Sequence, residues 1–188
     1  VDATIKYKKD LKWFFFASTS HVYSLQKKLI KENFKCKPLS NYGKTKFFAE
    51  NYIKRRFMNK NIMFCIGRIF SIFDNTNASF FTPNLIKKIK QRPKEIILDN
   101  LNHYRDFLTT KQISKIIMFL FQKKFQGVIN IGSGRKTNLK EIAQVFANIK
   151  NKKVVFNHNK PTYLVADINK LKKLGFKAKK INYLSFFN

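Results

Sequence analysis

Apolar positions recur along this chain in two rhythms. Residues 12–20 (Lys-Trp-Phe-Phe-Phe-Ala-Ser-Thr-Ser) hold a continuous apolar run ending in hydroxyls, the pattern of a strand buried on both faces of a parallel sheet. Residues 61–70 form a second such run, and Val128–Ile131 a third that stops at Gly132-Ser133-Gly134. Between them the spacing turns helical. Residues 41–58 predict a helix with Tyr42, Ala49 and Ile53 on its inner face, and Ile113, Ile116, Ile117 and Leu120 define another over 110–121. Pro83 suits the first turn of a helix running to Lys90. Asn138 followed by Glu141 three residues later marks a helix start that runs to about Ile149. A short helix over 167–174 closes on Gly175 as its C-cap. Short strands are expected at 96–98 and 104–107, around the turn 99–102, and at 154–156. Residues 1–11 read as a helix end, 24–40 as a loop and 74–79 as a polar loop. Strands alternating with helices predict an α/β fold.

The candidate chemistry gathers in Asn41-Tyr42-Gly43-Lys44-Thr45-Lys46. Tyr42 and Lys46 are four apart at a helix start, which stacks them on one face with Cβ atoms about 5–6 Å apart. Bringing a phenol from its usual pKa near 10 to neutrality takes about 4 kcal/mol of differential stabilisation of the phenolate. A neighbouring Lys and a bound cationic cofactor ring can share that task. The spacing alone proves little, because Tyr23 and Lys27 repeat it. Tyr42 stands out because the strand before it ends in Ser18-Thr19-Ser20-His21, and ligands of open α/β sheets bind at the carboxyl ends of strands.

Ser18-Thr19-Ser20-His21-Val22-Tyr23 and Pro38-Leu39-Ser40-Asn41-Tyr42-Gly43-Lys44-Thr45-Lys46 resemble two segments of the extended short-chain dehydrogenases/reductases, which act mostly on nucleotide-activated sugars. Gly67-Arg68-Ile69-Phe70, Tyr104-Arg105-Asp106-Phe107, Val128 to Gly134, and Ala166-Asp167-Ile168-Asn169-Lys170-Leu171 with Leu174-Gly175-Phe176 continue the likeness in family order. The resemblance implies the C-terminal part of a Rossmann-like doubly wound parallel sheet plus a small α/β substrate-binding lobe. Residues 1–70 would form the C-terminal half of the dinucleotide-binding domain. Residues 71–188 would form mainly the substrate lobe, with segments returning to the first domain.

The resemblance also implies roles. Tyr42 would exchange the hydroxyl proton, Lys46 would hold the phenolate and the nicotinamide ribose, and Thr19 would orient the reacting oxygen. The cofactor would be NAD or NADP. His21 and Arg105 would contact the nucleotide-sugar, Arg105 by pairing its planar fork with diphosphate oxygens. Arg68 would anchor the junction between lobes. An epimerase and a keto-sugar reductase both fit. Ser20-His21 stands where the family's 4,6-dehydratases carry an Asp-Glu pair, which argues against water elimination. Ser71 and Asp74-Asn75 also depart from the family's usual Asn and Gly-Pro. No Gly-x-x-Gly-x-x-Gly follows an early strand, so the cofactor-gripping first half, roughly 100 residues, is expected to be missing. Gly132-Ser-Gly-Arg-Lys-Thr137 lacks the spacing of a phosphate loop and is assigned to a strand-to-helix turn.

Composition adjusts this picture modestly. An apolar share of 44% fits a globular protein of 188 residues. The formal charge of +29 raises a basic nucleic-acid-binding module as an alternative. The lysines are dispersed in pairs and only six residues are Arg, so a solvated surface that attracts anions is preferred over specific nucleic-acid binding. A further alternative is an inactive fragment retaining the sugar lobe. Apolar runs fall short of the ~20 residues of a membrane span, and no signal peptide is evident. Cys36 and Cys65 match no zinc spacing, and Cys65 is placed in the core. The expectation is a reduced cytoplasmic protein without a metal, with a homodimer as an option.

Overall fold

The structure, a computed structural model, describes residues 1–8, 10–58, 60, 62–74, 81–91, 94–179 and 181–182. Most of the loop expected at 74–79, and Asn61 at the start of an expected strand, lie outside the described residues.

Helix α1 (Asp2–Tyr7) precedes strand β1 (Trp13–Thr19), and a single 3-10 turn (Ser20–Val22) follows it. A long loop leads to α2 (Asn41–Phe57) and then β2 (Met63–Ile69). β3 (Ser71–Ile72), α3 (Phe81–Gln91), β4 (Glu95–Leu98), β5 (His103–Arg105), β6 (Phe107–Leu108) and α4 (Thr110–Gln122) come next. The chain continues through β7 (Gly127–Ile131), β8 (Thr137–Asn138), α5 (Leu139–Ile149), β9 (Lys153–Phe156), β10 (Thr162–Leu164) and α6 (Asn169–Lys173).

The three apolar runs pair as expected. They form one parallel sheet in the order β1-β2-β7, in register from Trp13↔Met63 to Thr19↔Ile69 and from Cys65↔Gly127 to Ile69↔Ile131. A strand alternates its faces, so a continuous run serves two layers. Trp13 and Phe15 pack with Cys65, Ile129 and the α4 residues Ile113, Ile116 and Leu120. Phe14 and Phe16 pack with Ile66 and the α2 residues Ile53 and Phe57 on the other side. Cys65 is a buried free thiol whose pKa burial pushes up to about 12.

A second core joins α3, β4, β6 and α5 through Leu85, Ile89, Ile96, Leu98, Phe107, Ile142 and Phe146. The strands around the turn at 99–102 do not pair with each other. β4 pairs with β9, while β5 lies between β10 and β8. The single strand expected at 104–107 is broken at Asp106, so β5 and β6 join different sheets. Asp106 is fully buried, and its carboxylate accepts hydrogen bonds from the Ser133 N–H (2.7 Å), Ser133 Oγ (2.6 Å), the Gly134 N–H (2.9 Å) and the Ala166 N–H (3.2 Å). Burial raises its pKa against these donors.

The inner face assigned to α2 needs correction at its start. Ile53 is buried and Ala49 half-buried, but Tyr42 is 55% exposed. The first turn reaches beyond the sheet and lies against the 3-10 turn rather than under the strands. What fills that inner face two turns on is a charge. Glu50 is fully buried and meets Arg68 of β2 at 2.6 Å, with a second contact at 3.0 Å from Arg68 Nε. Ser18 Oγ donates to the same carboxylate at 2.5 Å. Arg68 Nη1 donates to Tyr23 Oη at 2.7 Å and to the Glu32 carbonyl at 3.2 Å, and Tyr23 Oη donates to Asn130 Oδ1 at 2.8 Å. Arg68 therefore closes a network among β2, α2, β7 and the long loop. Burial opposes its charge, but Glu50 and Tyr23 outweigh that cost and raise its pKa.

Helix ends are capped by side chains. Ser40 accepts the Gly43 N–H at 3.1 Å, Asn138 accepts the Lys140 N–H at 2.9 Å, and Thr109 with Gln112 forms a capping box on α4. Among the described residues no helix is long and apolar enough to cross a membrane.

Removing one member of a buried ion pair strands the other. Glu50→Ala is expected to lower stability by about 3–5 kcal/mol in urea unfolding, and Glu50→Leu combined with Arg68→Met to recover most of it. A loss below about 1 kcal/mol would mean that Arg68 reaches water and behaves as a surface charge.

Candidate active site

The carboxyl ends of β1 and β2 open on a cavity of about 380 Å³. Thr19, Ser20 and His21 line it from the end of β1, Tyr42 from the first turn of α2, Phe70 from just past β2, and Ser71 and Ile72 from β3. Arg105 and Phe107 reach it from β5 and β6, and Phe81 and Leu139 from the first residues of α3 and α5. Four of the five predicted site residues, Thr19, His21, Tyr42 and Arg105, thus meet at one place although 86 positions separate Thr19 from Arg105 in the chain.

Local structure explains the convergence. Thr19 ends β1 and its Oγ1 accepts the His21 N–H at 3.2 Å, which starts the 3-10 turn and leaves the Thr19 O–H free to donate into the cavity. Gly43 lets α2 approach that turn, because a Cβ there would overlap the His21 carbonyl oxygen. The close approach sets Tyr42 beside His21, with ring centroids 6.0 Å apart and planes at 73°. Gly43 was no candidate from sequence, although its place between Tyr42 and Lys46 was a usable signal.

Lys46 does not line the cavity. Its Nζ donates to the Ala17 carbonyl at 2.9 Å and sits 5.0 Å from the Phe16 ring centroid and 5.9 Å from that of Tyr42. The ammonium is therefore held behind the phenol against the last turn of β1.

Arg105 is half-buried. Its Nη1 donates to the Tyr104 carbonyl at 3.0 Å and to Thr162 Oγ1 at 3.2 Å. No carboxylate pairs with it among the described residues, and burial lowers its pKa. A half-buried guanidinium with free N–H groups facing a cavity suits a phosphate or carboxylate of a ligand. The turn at Gly132-Ser133-Gly134 is not available for that purpose, since Asp106 occupies the Ser133 and Gly134 amides.

His21 departs from its usual pKa of 6.5 in the downward direction, first through burial and then through the positive charge of Arg105. No described residue hydrogen-bonds its imidazole. His103, by contrast, is engaged by Thr162 Oγ1 at 2.8 Å. The apolar walls Phe70, Ile72, Phe107 and Leu139 were missed from sequence, because nothing in a strand or helix pattern says which residue faces a cavity between elements.

The profile of the GDP-mannose 4,6 dehydratase family matches residues 2–182. The chain therefore belongs to this family, among the NAD-dependent epimerase/dehydratase members of the extended short-chain dehydrogenases/reductases. It is 26% identical over 164 residues to the GDP-6-deoxy-D-talose 4-dehydrogenase of Aggregatibacter actinomycetemcomitans, which covers 82% of this chain and 55% of that enzyme. It is 27% identical over 157 residues to a putative UDP-glucose 4-epimerase of Methanocaldococcus jannaschii, covering 79% of this chain and 51% of the relative. The fold is that of the UDP-glucuronic acid 4-epimerase of Bacillus cereus, whose structure holds UDP-glucuronic acid and NAD. The TM-score is 0.83 at 24% identity, over 98% of this chain and 61% of that one. The chain spans about half the length of the curated relatives it matches.

The geometry makes the His21 titration a direct probe of Arg105. In NMR titration the His21 ring should show a pKa below 6.5, and Arg105→Ala should move it upward by removing a neighbouring cation, without cancelling the part due to burial. The folded protein favours neutral His21, so this group's contribution to stability is full above pH 6.5 and is lost as pH falls through the folded pKa. An Arg105→Ala titration identical to wild type would place the guanidinium away from the ring.

Proposed function

We propose that this chain belongs to an NAD- or NADP-dependent enzyme that exchanges a hydride between a nucleotide-sugar carbon and the nicotinamide. The observation that carries the reading is the meeting of Thr19, Tyr42 and Arg105 on one cavity at the carboxyl ends of parallel strands. Tyr42 takes or returns the sugar hydroxyl proton. Thr19, with its O–H free, orients the same oxygen. Lys46, 5.9 Å from the centre of the phenol ring, would hold the nicotinamide ribose. Bound nicotinamide supplies the hydride chemistry, and the residues here supply position and proton transfer. Arg105 pairs with the substrate diphosphate, and the general positive charge of the surface draws the anionic substrate inward.

Family membership and the names of the relatives, a GDP-sugar 4-dehydrogenase, a putative UDP-glucose 4-epimerase and a UDP-glucuronic acid 4-epimerase, support this substrate class. Ser20 and His21 supply no acid pair for eliminating water, which favours an epimerase or a keto-sugar reductase. We assign residues 1–70 to the dinucleotide-binding side and most of 71–188 to the sugar side.

In the complete gene product, Tyr42→Phe should abolish turnover while leaving NADH or NADPH affinity, read by fluorescence titration, close to wild type. Turnover near the wild-type rate would remove Tyr42 from the mechanism. Arg105→Ala should weaken nucleotide-sugar affinity by about 10- to 100-fold, the range for hydrogen bonds to a charged group, and an unchanged dissociation constant would place the diphosphate elsewhere.

A further inference from the structure

We propose that a cavity at the carboxyl end of β7 is a second anion site of this chain, and that it takes the diphosphate of a nucleotide. The inference is independent of the hydride reading, because this cavity shares no lining residue with the one that holds Thr19, Tyr42 and Arg105.

Two turns build its walls. β7 runs into Gly132-Ser133-Gly134, where Asp106 holds the Ser133 and Gly134 amides, and Ser133 Oγ accepts the Arg135 N–H at 3.2 Å. The turn is thereby fixed, with Arg135 exposed at its end. The chain leaves α6 through Gly175, whose φ of +98° suits a residue without Cβ. Its N–H donates to the Lys172 carbonyl at 2.8 Å, and the Phe176 N–H donates to the Leu171 carbonyl at 3.3 Å. That reversal brings Lys172, before it, and Lys177, after it, to one cavity of about 510 Å³ that also includes Arg135. Ile168, Phe176 and Ala178 supply its apolar walls.

Three cations therefore border one cavity, and no Asp or Glu is among its described lining residues. No ion pair or hydrogen bond among the described residues engages the Arg135 guanidinium or the Lys172 and Lys177 ammonium groups. The buried acids nearby in the chain are committed elsewhere. Asp106 holds the turn, and Asp167 accepts the Asn169 N–H at 2.8 Å and its side-chain amide at 3.3 Å. A neighbouring cavity that also borders Lys172 includes Glu32 and Asp167 and lacks this imbalance of charge. One planar guanidinium and two ammonium groups match the adjacent anionic oxygens of a diphosphate. Phe176 is half-buried, packs against Phe119 with ring centroids 5.3 Å apart, and offers the cavity an apolar surface on which a base can stack. Pyrophosphate and a nucleoside diphosphate share the recognised group, but only the second uses that ring. Both turns are held by internal hydrogen bonds, so binding orders little backbone.

The test is calorimetric titration of the complete gene product carrying Arg105→Ala, which removes the diphosphate partner proposed in the other cavity. The probes are pyrophosphate, GDP and UDP at physiological salt. Each should bind, with GDP and UDP about 10-fold tighter than pyrophosphate through the Phe176 ring. Adding Arg135→Gln with Lys177→Gln, both at exposed positions, should weaken all three by about 10-fold or more. Lys87→Gln with Lys88→Gln removes the same charge from the exposed side of α3, outside the cavity, and should leave the affinities within about 2-fold. Phe176→Leu, checked for native fold by circular dichroism, should cancel the advantage of GDP and UDP and keep the affinity for pyrophosphate. Equal losses in the two double variants would mean diffuse attraction by a chain of charge +29 and would overturn the site, as would an absence of binding. GDP and UDP binding no tighter than pyrophosphate would overturn the nucleotide as its ligand. None of these outcomes touches the Tyr42→Phe turnover experiment, so the hydride reading stands or falls separately.

Discussion

The contact between Glu50 and Arg68 governs how the rest of this structure meets at its site. Both charges are nearly out of reach of water, with side-chain exposures of 0% and 3%, so neither is tolerable alone. The pairing fixes α2 against β2, and Ser18, through its bond to the same carboxylate, fixes α2 against the last turn of β1. Thr19 follows Ser18 directly, while Tyr42 lies two helical turns before Glu50. Their encounter across the cavity is thereby set by a charge pair that touches neither of them. A hydrophobic contact of the same area would hold the helix but would allow it to slide along the strand, since burial is not directional. Two hydrogen-bonded carboxylate oxygens allow far less.

A second internal anion plays a parallel part. Asp106 breaks what the apolar pattern predicts as one strand and sends Tyr104-Arg105 to one sheet and Phe107-Leu108 to another. Its carboxylate engages the amides of Ser133 and Gly134 and reaches Ala166, so three distant segments are tied at one buried point. Gly132 permits that approach, because a Cβ there would lie 2.6 Å from the Asp106 carboxylate and 2.7 Å from the Ala166 methyl. The consequence for the site is positional. Arg105, one residue before the knot, is placed at the cavity without any carboxylate of its own, and its charge remains available to a ligand.

How much of this could be read from the residues depended on whether the signal was periodic or spatial. The three buried strands were legible because Phe14, Phe16, Cys65, Ile66 and Ile129 sit in mainly apolar runs, and the helix start at Leu139 was legible from Asn138 with Glu141. Thr19, Tyr42 and Arg105 were legible through their order and neighbours. Glu50 was not, since a Glu on a helix is ordinarily solvated and nothing in sequence brings Arg68, 18 residues on, to meet it. The break at Asp106 was hidden for the same reason, its partners being 27, 28 and 60 residues away. Tyr42 was placed on the inner face because helical periodicity ignores where the sheet stops. The first turn of α2 packs against the 3-10 turn through Gly43, and there the phenol stays exposed.

The electrostatics of the cavity then follow from what the chain keeps out of it. A formal charge of +29 leaves most cations unpaired, yet the described lining residues include one guanidinium and no acid. A diphosphate entering such a cavity meets no repulsion, and Arg105 gains a partner that the fold withholds. Lys46 is held by the Ala17 carbonyl, 5.9 Å from the centre of the Tyr42 ring and outside the cavity lining. The imidazole of His21 shares this cavity with Arg105, whose charge adds to burial in lowering its pKa.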